Sequence, residues 1–107
     1  MRVVTWNVNG IRAAIRKGMD DWMAKIDADV WLLQEVRALP EQLPKDWELP
    51  SGHEVVWHPA EKKGYSGVAS FSRLGMEKIS RGIDTDLDPD DLEGRVLTTK
   101  SGVLTCI

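Results

Sequence analysis

The chain has 107 residues, 42% of them hydrophobic and 29% charged, which is ordinary for a single globular domain. No stretch approaches the roughly 18 consecutive apolar residues that a membrane helix needs, and the basic-then-apolar layout of a secretory leader is missing, so a cytoplasmic setting is expected. The formal net charge is −3, but six of the 17 carboxylates fall within residues 84–93, "DTDLDPDDLE", leaving 14 bases against 11 acids elsewhere, so an anionic partner is not excluded.

Residues 2–8, "RVVTWNV", are β-branched and aromatic and predict a strand. Ile11, Ile15, Met19, Trp22 and Ile26 then recur at helical spacing and predict one helix, with Asn9 placed to cap it and Gly18 a weak point in its middle. "DVWLLQE", residues 29–35, is apolar on both faces, as a strand covered on both sides should be. Residues 40–52 hold three prolines and a glycine among charges, and read as an exposed connection with room for one helical turn.

"HEVVWHP" and "GVASFSR" predict two further strands joined by the loop "AEKKGYSG", and "MEKISRG" reads as a strand pairing with the second of them. "RVLTTK" and "VLTCI" predict a hairpin turning at Ser101-Gly102. The lone Cys106 has no internal disulfide partner and reads as a small buried apolar side chain. The five tryptophans, at 6, 22, 31, 47 and 57, read mostly as core. A strand–helix–strand unit followed by mainly antiparallel strands predicts layered α/β architecture.

Several polar groups invite a functional reading. Glu35 ends a strand buried on both faces, where a carboxylate is poorly solvated; it either pairs with Arg37 or offers a hard oxygen to Mg²⁺. On spacing alone the ion pair is the simpler of the two. Asn7 either serves a turn or, on a neighbouring strand joined by one crossover helix, meets Glu35 at the sheet edge where α/β proteins place their sites. Arg2, Arg12, Arg16 and Lys17 lie within the first 17 residues without an acid among them. "KKGYSGV", residues 62–68, offers lysines for phosphates, glycines for close approach and a tyrosine face, though a lysine-rich loop reads the same way. Asp84, Asp86 and Asp88 alternate like calcium ligands, but Pro89 and Arg95 stand where such a loop needs glycine and glutamate, so residues 84–93 predict a solvated loop. His53 and His58 flank a strand on opposite faces and do not suggest a shared metal.

In chain order, "WNVNGIRA", "LLQE", "GYSGV" and "EGRV" together resemble the exodeoxyribonuclease III and apurinic/apyrimidinic endonuclease family, within the endonuclease/exonuclease/phosphatase superfamily. The resemblance implies the N-terminal part of a four-layer α/β sandwich, two packed and mainly antiparallel sheets flanked by helices. It implies Mg²⁺, with Mn²⁺ as a substitute, held by Asn7 and Glu35 as catalytic residues, with Asn9 near the metal or its water shell. It implies contacts of Arg12, Lys17, Lys63, Gly64 and Tyr65 to double-stranded DNA carrying abasic sites or 3′ ends, and a structural role for Arg95 near the same face. The implied reaction is hydrolysis of a DNA phosphodiester 5′ to an abasic site or stepwise from a 3′ end, in base excision repair.

The family's later tyrosine, Asp-x-Asn pair and terminal Asp-His pair have no match in residues 1–107, and His53 and His58 do not replace them. Residues 1–107 are therefore expected to be a single incomplete domain, inactive alone, whose open strand edges are covered by a missing C-terminal portion or by self-association. The alternatives are a non-catalytic nucleic-acid-binding or complementing fragment, and a phosphatase or phosphodiesterase of another branch.

Overall fold

The computed structural model describes residues 1–50, 52–82, 91–102 and 104–107. The acidic alternation of Asp84, Asp86 and Asp88 lies outside these described residues. The first sheet contains β1 (Val3–Asn7), β2 (Val30–Gln34), β3 (Glu54–His58) and β4 (Val68–Ser72), in the spatial order β1-β2-β4-β3. β1 and β2 run parallel from Val3 opposite Val30 to Asn7 opposite Gln34, and the other pairings are antiparallel. A parallel pair needs a crossover, and α1 (Ile11–Arg16) and α2 (Met19–Ile26) supply it.

The single helix predicted over residues 11–26 is thus two, because Gly18 takes a left-handed conformation, φ +97°, that ends α1 and opens α2. The break also changes the buried stripe. Met19 and Met23 enter the core, whereas Trp22 is 61% exposed and only leans on Trp6, ring centroids 6.4 Å apart. Trp31 and Phe71, opposite each other on β2 and β4, are 1% and 0% exposed and anchor the core between sheet and helices. Trp6, Trp47 and Trp57 pack against that cluster, so four of the five tryptophans serve the core as predicted. Pro40–Gln42 forms one 3-10 turn, the helical turn for which the connection had room.

The second sheet is β5 (Lys78–Arg81), β6 (Leu97–Ser101) and β7 (Leu104–Cys106), all antiparallel. β5 therefore pairs with β6, correcting the expected pairing of "MEKISRG" with "GVASFSR". β4 is already paired on both edges, with β2 and with β3, so it has no edge left for β5. The hairpin also turns one residue later than predicted, since Ser101 belongs to β6 and pairs with Leu104. Leu97 and Thr99 of β6 are buried, and with Leu32, Val68 and Ser70 of the first sheet they line the narrow gap between the sheets. The result is the mixed α/β sandwich expected, with helices on the outer face of the first sheet. Cys106 is half-buried, and burial pushes its thiol pKa up.

One end of the first sheet is staked by charge. The Arg73 guanidinium donates to Asp29 at 2.8 Å and to Asp27 at 2.7 Å, and the Arg2 N–H donates to Asp29 at 2.7 Å. The Arg2 N–H, then Arg73, hold the Asp29 carboxyl below its ordinary value. Among the described residues no helix is long and apolar enough to cross a membrane.

Candidate functional site

The parallel register brings the carboxyl ends of β1 and β2 side by side, and the backbone keeps them joined beyond the strands. The Val8 N–H donates to Gln34 O at 3.1 Å, Gly10 N–H to Glu35 O at 2.8 Å, and Ile11 N–H to Val36 O at 2.9 Å. The loop before β4 joins the same edge, where Val36 N–H donates to Gly67 O at 3.0 Å and Arg37 N–H to Ser66 O at 2.8 Å. Asn7, Glu35 and the "GYSG" loop therefore converge on one edge of one sheet. Asn9, Glu35, Arg37 and Ser66, all on these connected turns, have φ between 45° and 56°. Left-handed backbone is tolerated by asparagine but costs a glutamate or arginine about 1 kcal/mol or more, and such strain gathers at sites.

Asn7 is exposed, and its Oδ1 accepts the Asn9 N–H at 3.0 Å, the bond expected of a turn asparagine. Asn9 does not cap α1, contrary to expectation. The cap position is Gly10, φ +93°, with no side-chain cap bond, and the Ile11 N–H is already taken by Val36 O. Glu35 and Arg37 do meet, at 3.5 Å, but both side chains are 43% exposed, so the pair is loose and contributes little. Its carboxylate stays available to a stronger cation.

A single carboxylate beside a neutral amide oxygen suits Mg²⁺, which takes few protein oxygens and keeps several waters. Among the described residues no cluster of three or more His, Cys, Asp or Glu forms a metal cage.

Two of the cations are linked to this edge. Arg12 reaches from α1 to donate to Arg37 O at 3.4 Å, and Lys17 shares with Asn9, Trp6 and Trp22 a cleft of about 260 Å³. Lys63 and Gly64 are exposed in the loop after β3. Tyr65, 40% exposed, is held more closely than its sequence suggested. Arg95 Nη2 donates to its hydroxyl at 3.0 Å, and Lys62 Nζ and Arg95 Cζ lie 5.6 and 5.7 Å from its ring centre. The sequence pointed to Lys63 and not to Lys62, since nothing in "KKGY" distinguishes which lysine folds back over the ring.

Beneath this loop the expected solvated acidic segment is overturned at Asp91, which is 3% exposed. Its Oδ2 takes three donors: His58 Nε2 at 2.8 Å, the Arg95 N–H at 2.9 Å and the Val96 N–H at 2.7 Å. Those partners lie across the fold and after the run, where residue order alone does not reveal them. Burial pushes the Asp91 carboxyl up, but Val96, His58 and Arg95 together hold it below 3.8. A carboxyl lowered on folding adds stability that is complete above its unfolded value and is lost as pH falls through the folded one. Stability should therefore fall below pH 3.8, and Asp91→Asn should flatten that limb in a series of urea midpoints against pH. Asp29 moves in the same direction, so the limb should flatten without vanishing.

A mixed sheet whose parallel strand ends carry an amide and a carboxylate, backed by a second sheet and bordered by cations, defines an α/β sandwich with an edge suited to phosphate chemistry. Residues 4–105 match the Endonuclease/Exonuclease/phosphatase family, and the chain belongs to that family.

It is 40% identical over 100 residues to an exodeoxyribonuclease of Bacillus subtilis, covering 92% of this chain and 37% of that protein. It is 36% identical over 102 residues to the DNA repair nuclease APEX1 of Danio rerio, covering 94% and 32%. Among solved structures, the 3′-5′ exonuclease NExo of Neisseria meningitidis superposes with a TM-score of 0.81 at 27% identity, over 98% of this chain and 39% of that one. An AP endonuclease from Archaeoglobus fulgidus gives 0.79 at 27%, over 98% and 38%. The chain thus spans less than two fifths of the length of each of these relatives.

Proposed function

We propose that this chain is the N-terminal part of a DNA repair nuclease that hydrolyses phosphodiesters 5′ to abasic sites or at 3′ ends, with Mg²⁺ at Asn7 and Glu35. The observation that carries the reading is the convergence of Asn7, Glu35 and the Tyr65 loop on one strained sheet edge. The names of the relatives, exodeoxyribonuclease and DNA repair nuclease, support DNA as the substrate.

Glu35 supplies the anionic oxygen for the metal and Asn7 a neutral one, while Asn9, tied to Asn7 through its backbone, fixes the amide's orientation. When bound, Mg²⁺ supplies neutralisation of charge developing on the phosphate and the leaving 3′ oxygen. Arg12, Lys17 and Lys63 meet backbone phosphates, and Gly64 and Tyr65 let the loop approach the duplex closely. Glu35 is committed to the metal and Asp91 is buried on His58, so neither serves as base for the attacking water. Because the family's Asp-x-Asn and terminal Asp-His pairs have no match in residues 1–107, the 107-residue chain alone is expected to bind duplex without cutting it.

The test uses a duplex bearing one abasic site, with Mg²⁺ or EDTA, and Glu35→Ala as the control. Binding should tighten with Mg²⁺ in the parent chain, not in Glu35→Ala, and weaken with salt with a log–log slope of roughly −3 for about three phosphate contacts. Magnesium-dependent incision that disappears in Glu35→Ala would overturn the expected inactivity. A NExo structure described as a 3′ phosphatase bound to product DNA hairpin makes a 3′-phosphate end the natural second substrate. Stronger binding of a soluble inositol phosphate than of either duplex would move the chain to another branch of the family.

A further inference from the structure

The loop between β3 and β4 would be poorly ordered on its own. It is exposed from Glu61 to Tyr65 and contains Gly64 at φ +73°, Ser66 at φ +45° and Gly67 at φ +87°. Its order comes from outside, through the turn at residues 91–96. The Glu61 N–H donates to Leu92 O at 2.7 Å, tying the two segments together. Gly94 packs so closely on residues 58–60 that a Cβ would lie 2.6 Å from His58 O. The turn is closed by the Gly94 N–H on Asp91 O at 2.9 Å, and Asp91 Oδ2 gathers His58 and the N–H groups of Arg95 and Val96.

Arg95 leaves this turn with its guanidinium set by Glu93, Nε to Oε2 at 2.5 Å, and places Nη2 on the Tyr65 hydroxyl. A chain of contacts thus leads from a buried carboxylate to the exposed aromatic ring.

We propose, on the reading of the Tyr65 loop as a DNA contact, that Asp91 is a positioning residue for that loop, acting through the 91–96 turn and the Arg95 guanidinium. It does not touch DNA. It fixes where Arg95 begins, and Arg95 fixes where the Tyr65 ring and hydroxyl stand before the duplex arrives. A loop held in its binding geometry loses less conformational freedom on association, so the effect belongs to affinity and not to charge.

The sign of the charge effect provides the test. Asp91→Asn removes a negative charge, so electrostatics alone would strengthen duplex binding, whereas loss of positioning weakens it. The expected result is weakening on the order of tenfold for the abasic duplex at fixed salt, the scale of one misplaced hydrogen-bonding side chain. Arg95→Lys keeps the charge but not the planar fork, and should weaken binding similarly.

Tyr65 is the chain's one tyrosine, so its ring ¹H–¹³C signals can be followed without assignment. They should shift in both variants, in samples whose circular dichroism matches the parent. If Asp91→Asn does not fold, Arg95→Lys and its ring signals carry the test alone. Unchanged ring signals, or duplex binding in Asp91→Asn equal to or tighter than the parent, would overturn the proposal. If the parent chain binds no duplex, the DNA reading fails, while the ring signals still decide whether Asp91 positions Tyr65.

Discussion

Gly94→Ala is expected to destabilise the protein by about 2–4 kcal/mol, although it adds one methyl group. Two effects add. Gly94 has φ +61°, where an alanine costs about 1 kcal/mol. The new Cβ would also lie 2.6 Å from His58 O, 2.6 Å from Pro59 C and 2.7 Å from Ala60 N, all backbone atoms that no side-chain rotation can move aside. Overpacking of that kind costs typically about 1–3 kcal/mol. For a chain of this size the melting temperature should drop on the order of 10–30 °C. Gly64→Ala separates the two contributions, because Gly64 has φ +73° but a Cβ there would meet nothing within 4 Å. It should lose only the backbone part. Equal melting temperatures for the two variants would mean that the turn at Gly94 does not press on residues 58–60.

Trp31→Ala should cost about 3–5 kcal/mol, the usual range for deleting a large buried aromatic side chain. Trp31 is 1% exposed, sits opposite Phe71 in the sheet register, and has the ring of Trp6 at 6.4 Å. Against a typical total stability of about 5–15 kcal/mol, its loss should remove from about a fifth to nearly all of the folding free energy. Trp22→Ala is the matched control. That side chain is 61% exposed, so its removal should cost within about 1 kcal/mol, mostly its contact with Trp6. Urea midpoints followed by circular dichroism distinguish the cases, and a Trp22→Ala cost approaching that of Trp31→Ala would contradict the exposure of Trp22.

What could be read from residue order was whatever depends on period and neighbourhood. The runs at 2–8 and 29–35 announce strands, and a helical segment between them lets the two lie parallel with adjoining ends, which is why Asn7 and Glu35 could be placed together beforehand. Conformation at single residues was less legible. Gly18 reads as a weak point within one helix until its left-handed angles are seen, and Asn9 reads as a cap until Val36 O is found on the Ile11 N–H. Contacts distant in sequence were not legible at all. Asp91 looks like five other carboxylates in its run, and only the fold brings His58 to it from 33 residues away. The same holds for Arg95 and Tyr65, 30 residues apart.

The Arg73 network has a consequence for how this sheet moves. It ties the starts of β1 and β2 to the finish of β4, the end of the sheet remote from Asn7 and Glu35. The Arg73 network lies at one end, whereas the other has only the loose Glu35–Arg37 pair and the left-handed residues Asn9, Glu35, Arg37 and Ser66. Brief openings of the native state should begin where backbone strain is relieved and no charge network resists, so amide hydrogens around Asn9, Glu35 and Ser66 should exchange with solvent ahead of those beside Asp29. The sheet is thus clamped at its base, and its fluctuations gather at the end that carries Asn7 and Glu35.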